Sequence, residues 1–151
     1  MLKYFHQLSE SAQETVMERL RNNPPEFAWH AEYHDSLQAF CSEFGVRVLD
    51  FCLDHLDYAT DARSGNFRGR KLREFNPDYM PTGFIGDCPL WSTFHQEFKR
   101  TGDANHAFDH ALFEFFKEWR NDMEHSYSDK GLREYAELDQ YEECEACGTL
   151  K

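Results

Sequence analysis

The sequence lacks any long hydrophobic run. A membrane-spanning helix takes about 18 or more consecutive apolar residues, and no stretch of the chain approaches that length. Residues 1–7 turn polar too early for the apolar region of a secretory signal peptide. We therefore expect a cytoplasmic protein that makes no membrane contact.

Cysteines are few and their number is odd. With five cysteines and no secretory signal, the sequence does not predict a disulfide framework, and reduced thiols are expected. Cys41, Cys52 and Cys88 stand among apolar neighbours and are interpreted as small core residues. Cys144 and Cys147 have metal-ligand spacing, since two intervening residues let both sulfurs reach one tetrahedral ion. One such pair is only half of a zinc site.

Recognised catalytic motifs are also absent. The sequence contains no nucleophile elbow, phosphate loop or dinucleotide-binding fingerprint, and its paired carboxylates need no enzymatic explanation. His106 and His110, four residues apart, suit either a divalent ion or a solvated helix face. We predict a protein that is not an enzyme, with no catalytic residues and no cofactor. The weak metal candidates are Cys144, Cys147, His106 and His110.

Positive charge is in short supply. The chain has 28 acidic and 16 basic residues, a formal net charge of −12. Its aromatic content of 16% is too high for a disordered acidic protein, so the acids are expected on the outside of a packed core. Such a surface repels phosphate, which argues against general nucleic-acid binding and anionic membranes and favours basic partners.

The hydrophobic periodicity predicts an α+β fold. We expect two N-terminal helices, a small antiparallel β-sheet formed by a hairpin, and a C-terminal helical region within one domain over residues 1–151. Residues 144–151 are interpreted as a candidate frayed tail. The predicted helices cover about 9–21, 26–44, 88–101, 105–125 and 128–141, and the predicted strands cover 46–56 and 67–75.

Two charge clusters are candidate binding surfaces. Residues 76–151 hold sixteen acids and seven bases, so −9 of the net charge lies in that half. The spaced carboxylates either solvate the surface or imitate the phosphates of a nucleic acid and occupy a basic groove. The predicted partner-binding acids are Asp122, Glu124, Asp129, Glu134, Glu137, Asp139, Glu142 and Glu143. A basic cluster is either a solvated strand face or a secondary contact, and comprises Arg63, Arg68, Arg70, Lys71 and Arg73.

Several segments together resemble a family of small proteins from bacteriophages and prophages. They are LSESAQE at residues 8–14, WHAEYHD at 29–35, GVRV at 45–48, SGNFRG at 64–69 and DMEHSYS at 122–128. The likeness extends to about Glu143, but Asp61 to Asn66 replace the family's usual Gly-Asp-Gly turn. The tail with Cys144 and Cys147 is individual to this chain. The resemblance implies a phage accessory protein made in the bacterial cytoplasm, of a family often labelled antitoxin-like.

Charge and resemblance together lead to a functional hypothesis. We predict an anti-defence protein of the anti-CRISPR type that binds a basic surface of a host nucleic-acid-processing complex, such as a CRISPR effector or nuclease, by nucleic-acid mimicry. Two alternatives stay open: an antitoxin-like module that neutralises a toxin protein, and a metal-binding or nucleic-acid-binding regulatory protein. A homodimer is compatible with each of the three.

Overall fold

The structure is a computed structural model that describes residues 1–27, 29–61 and 67–151. These residues form five α-helices and four short strands, which confirms the predicted α+β class. In chain order the elements are β1 (Leu2–Tyr4), α1 (Glu10–Asn22), α2 (Trp29–Glu43), β2 (Val48–Cys52), β3 (Asp57–Thr60), α3 (Asp87–Thr101), α4 (Ala104–Ser126), α5 (Asp129–Ala136) and β4 (Gln140–Glu142). None of the described helices combines the length and apolar character that a membrane crossing requires.

The predicted domain over residues 1–151 comprises two compact units. Unit 1 consists of Met1–Glu26 and Asp122–Lys151, so both ends of the chain build it. Unit 2 is the intervening segment, Phe27–Asn121. The second boundary falls inside helix α4, where neither composition nor turn residues mark it.

The core of unit 1 forms where α1 packs against α5 and the turn that follows β1. Helix α1 is capped by Ser9, whose hydroxyl accepts a hydrogen bond from the Ala12 N–H at 3.2 Å. The buried side chains of this core are Phe5, Leu8, Ala12, Val16, Met17, Leu132 and Ala136. Each large apolar side chain buried here contributes about 1.5–3 kcal/mol.

A two-stranded sheet in unit 1 was not predicted. Strands β1 and β4 pair antiparallel, with Leu2 opposite Glu142 and Tyr4 opposite Gln140. The predicted final helix over 128–141 is therefore wrong beyond Ala136, where α5 ends. Strands β1 and β4 lie at opposite ends of the chain, so no local sequence pattern predicts their pairing.

The C-terminal residues that we interpreted as a candidate frayed tail form a closed turn. The Cys144 N–H donates to the Thr149 carbonyl and the Gly148 N–H to the Cys144 carbonyl, each at 2.7 Å. The Lys151 N–H donates to the Glu142 carbonyl at 2.8 Å. Gly148 has φ +69°, a left-handed conformation that glycine adopts without strain.

The core of unit 2 is aromatic. Helices α2, α3 and α4 turn their apolar faces toward each other, and ring stacks run through the interior. Tyr33 stacks on Trp119 with ring centroids 5.1 Å apart, and Phe40 stacks on Phe108 at 5.2 Å. All four side chains are essentially excluded from solvent.

The hairpin of unit 2 is shorter than predicted. Strand β2 pairs with β3, which places Cys52 opposite Asp57 and Val48 opposite Thr60. The predicted continuous strand over 46–56 is wrong at its end, because residues 53–56 form the turn. The predicted return strand over 67–75 is also wrong: residues 72–74 form a single 3₁₀ turn. No glycine, proline or asparagine marks the turn at 53–56, which is why the sequence did not reveal it. Residues 62–66 of the predicted turn lie outside the described residues.

Candidate functional site

All eight predicted partner-binding acids belong to unit 1. The sequence of this unit has thirteen acidic and six basic residues, a net charge of −7. Unit 2 is much longer, has fifteen acidic and ten basic residues, and carries only −5. The negative charge is thus concentrated in the smaller unit.

Seven of these acids present their carboxylates at the surface and are called the acidic set below. The set lies on the end of α4, on α5, on the segment that leads into β4, and on β4 itself. Six of its members are exposed and Glu137 is half-buried. The acidic set comprises Asp122, Glu124, Asp129, Glu134, Glu137, Asp139 and Glu142.

A tight connection between α4 and α5 positions the centre of the acidic set. Ser128 caps α5, with its hydroxyl accepting a hydrogen bond from the Gly131 N–H at 3.1 Å. A Cβ atom at Gly131 would lie 2.0 Å from the His125 carbonyl oxygen, so only glycine fits this close approach. The approach brings the His125 ring within 3.0 Å of the Glu134 carboxylate.

Several carboxylates of the acidic set already contact cations or histidines of unit 1. Arg21 donates two hydrogen bonds of 3.0 Å to Asp129, and these bonds lower the pKa of Asp129. His6 lies 2.8 Å from Glu137, and Lys151 lies 3.4 Å from Glu142. Such exposed pairs are weak because solvent screens them, so a partner's arginines can replace them at little cost.

Glu143 differs from the other predicted acids because it is buried. Its carboxylate accepts hydrogen bonds from the Lys3 ammonium at 2.8 Å and from the Ser9 backbone N–H at 3.1 Å. Hydrogen bonds from Lys3 and from Ser9 lower the pKa of Glu143 to about 2. With 6% of its surface exposed, Glu143 ties the C-terminal segment to the N-terminal one and is removed from the candidate surface.

Glu134 and Glu137 line a shallow groove of unit 1 with a volume of about 620 Å³. Lys130 and Arg133 line the same groove, as do Phe5, His6 and Gln13. The groove therefore offers both signs of charge beside an aromatic ring, with Arg133 placed 5.9 Å from the Phe5 ring centre. This mixture suits a protein surface better than a small anion.

The predicted basic cluster belongs to unit 2. Arg68, Lys71 and Arg73 are exposed, and Arg63 lies outside the described residues. Arg70 has a structural role instead: its guanidinium lies 2.7 Å from Glu43 and stacks over the Phe75 ring at 4.9 Å. The sequence could not show that Arg70 is less exposed than Arg68, Lys71 and Arg73, because its burial depends on tertiary packing.

The metal candidates form two separate pairs. The His106 and His110 rings lie 6.4 Å apart, and His106 lies 3.6 Å from Glu97. At the C-terminal turn, hydrogen bonds from the Thr149 hydroxyl and the Cys144 thiol lower the pKa of Cys147 to about 7. Across residues 1–27, 29–61 and 67–151, no three or more His, Cys, Asp or Glu side chains are grouped to hold one ion.

Sequence reasoning missed a groove of about 550 Å³ between α2 and β2 in unit 2. Its walls include Leu37, Cys41 and Leu49, and Leu49 is 63% exposed. Burial raises the pKa of Cys41 to about 12, so this thiol stays protonated and unreactive. Of the three cysteines interpreted as core residues, Cys41 is buried and Cys88 is half-buried, but Cys52 is exposed on the hairpin, so that expectation is wrong for Cys52. The groove itself forms because a strand packs beside α2, which no local pattern predicts.

Comparison of the chain with protein-family models, with curated proteins and with solved structures found no match.

Proposed function

We propose that the protein is a non-enzymatic binding protein that docks unit 1 onto a basic surface of a partner. The observation that carries this proposal is the charge balance of unit 1: net −7, with six members of the acidic set exposed. Three of its six cations, Lys3, Arg21 and Lys151, are already engaged with carboxylates of the same unit. The remaining field is strongly negative and attracts cationic proteins.

Electrostatics favours fast and selective association with such a partner. Complementary fields raise association rates by roughly 10- to 1,000-fold and disfavour partners of like charge. The exposed pairs between His6 and Glu137 and between His125 and Glu134 are weak, so arginines of the partner can displace the histidines. Arginine binds carboxylates with two parallel hydrogen bonds, which adds geometric specificity.

Basic surfaces occur where proteins hold nucleic acid. Occupation of such a surface by the acidic set would exclude DNA or RNA, which is inhibition by nucleic-acid mimicry. The resemblance to phage accessory proteins supports a host defence complex as the target, so we propose an anti-defence protein of the anti-CRISPR type acting in the bacterial cytoplasm. Arg68, Lys71 and Arg73 would then supply a secondary contact to an acidic part of the complex.

The proposal is tested by capturing partners from a bacterial lysate with the immobilised protein. We expect a captured protein that binds nucleic acid, that is displaced by added duplex DNA, and whose affinity falls steeply between about 50 mM and 200 mM salt. Binding that neither salt nor DNA weakens would contradict the proposal and favour the antitoxin-like alternative. A regulatory protein that binds nucleic acid itself would instead retard DNA in a gel without any partner.

A further inference from the structure

The C-terminal turn, residues 143–150, carries two thiols on a backbone that is closed by hydrogen bonds. Cys144 is half-buried and Cys147 is exposed, and the bonds from Cys144 to Thr149 and from Gly148 to Cys144 close the turn between them. The Gly148 carbonyl accepts a further hydrogen bond of 2.7 Å from the Ser9 hydroxyl. The turn is therefore anchored on the start of α1.

The surroundings of the Cys147 sulfur suit a metal-bound thiolate. The Thr149 hydroxyl lies 2.9 Å from this sulfur, and hydrogen bonds to sulfur stabilise thiolate ligands. Cys147 is exposed, and so are Glu145 and Ala146 between the two cysteines, so the Cys147 side of the turn is open to solvent. Because Zn²⁺ and thiolate are well matched in softness, zinc is the divalent ion that this pair selects.

The ligand count decides how such a site is completed. A structural zinc ion takes four ligands in a tetrahedron, and the turn supplies two. Within the part of the chain that the structure describes, no further His, Cys, Asp or Glu groups with the pair. A second copy of the same turn, related by a twofold axis through the ion, would supply the missing two.

We propose that Cys144 and Cys147 of two copies of the chain bind one Zn²⁺ through four thiolates and thereby link the copies as a dimer. Any thiol still protonated releases its proton to solvent as the zinc–sulfur bond forms, so no oxidant is needed. The two copies of unit 1, each with net charge −7, repel one another. Added salt screens this repulsion, so the zinc-linked dimer is expected to strengthen with salt, in contrast to binding of a basic partner.

The test is a Zn²⁺ titration of the reduced protein against a chromophoric chelator, with molar mass measured by light scattering. We expect half an equivalent of zinc per chain, a doubled mass, and reversal by excess chelator. Co²⁺ in place of Zn²⁺ should give the visible absorption bands of a tetrahedral cobalt thiolate.

Matched variants locate the site. Cys144→Ser and Cys147→Ser should each weaken zinc binding by at least about 100-fold, while Cys52→Ser, a change at an exposed cysteine of unit 2, should leave it unchanged. Far-UV circular dichroism of each variant verifies that it is folded. No zinc uptake, one zinc per chain at unchanged mass, or equal loss in Cys52→Ser would overturn the proposal.

Discussion

Some side chains of the aromatic core of unit 2 form hydrogen bonds that the hydrophobic pattern of the sequence does not predict. The Trp119 indole N–H donates to His30 Nδ1 at 3.0 Å, which requires this nitrogen to carry no proton. Burial, followed by the charge of His34, lowers the pKa of His30. His30 and His34 are four residues apart on α2, and this spacing gives no sign of the contact with Trp119.

His30 should make the protein less stable in mild acid. Because its pKa is lowered on folding, the unfolded chain takes up the proton first, near pH 6.5, and stability is lost as the pH falls below that value. His30→Gln keeps a hydrogen-bond acceptor that does not titrate, so its unfolding free energy should fall less between about pH 7 and pH 5. Denaturant unfolding at a series of pH values measures this.

His55→Gln is the matched control, since His55 is exposed in the turn of the unit 2 hairpin. Its pH profile should follow that of the unchanged protein. If His30→Gln shows the same slope as the unchanged protein, His30 is not the source of the acid sensitivity.

Gly131 is a second residue whose identity only the packed structure explains. Gly131→Ala places a Cβ against the His125 carbonyl, and relief of that overlap should cost about 1–3 kcal/mol or more of unfolding free energy. The neighbouring exposed change Lys130→Ala should stay within about 0.5 kcal/mol. Equal stability of the two variants in urea would show that α5 does not need the close approach.

At the scale of elements, helices that depend on local signals were predicted and strands that depend on distant partners were not. Capping by Ser9 and the left-handed Gly102 after α3 fix helix ends within a few residues of the prediction. The pairing of Leu2 with Glu142 joins the two ends of the chain, and a local pattern cannot encode it. In the hairpin of unit 2, the alternation of apolar and polar residues in β2 continues through residues 53–56. The pattern therefore predicts a strand where the structure has a turn.

The buried contact of Glu143 should stabilise the pairing of β1 with β4 in a pH-dependent way. Its pKa is lowered from 4.5 to about 2, so the stabilisation is full above about pH 4.5 and is lost as the pH falls toward 2. Glu143→Gln should therefore unfold at lower denaturant concentration at pH 7, with a difference from the unchanged protein that shrinks below pH 4.5.

Glu145→Gln, an exposed change two residues away, is the control for Glu143→Gln. Amide hydrogen exchange at Lys3 and Tyr141 reports the sheet directly, because these residues face each other across it. A pH-independent difference, or unchanged exchange at both positions, would argue that Glu143 does not hold the two strands together.

At the scale of the whole molecule, the distribution of charge is the feature that the sequence predicted best. Counting acids along the chain located seven surface carboxylates correctly, because most charged residues are exposed by default. It misassigned Glu143 and Arg70, since burial of a charged side chain depends on contacts with distant residues. It also could not show that the acids of the second half join the N-terminal segment in one unit.

The most direct measurement compares the affinity of two triple charge reversals for the captured basic partner. Glu134→Lys/Glu137→Lys/Asp139→Lys changes unit 1, and Glu32→Lys/Asp54→Lys/Glu118→Lys changes exposed acids of unit 2, with an identical change in net charge. The unit 1 variant should lose at least about 100-fold in affinity while it stays folded, and the unit 2 variant only a few-fold. Equal losses, or no loss in the unit 1 variant, would contradict the assignment of binding to the acidic set.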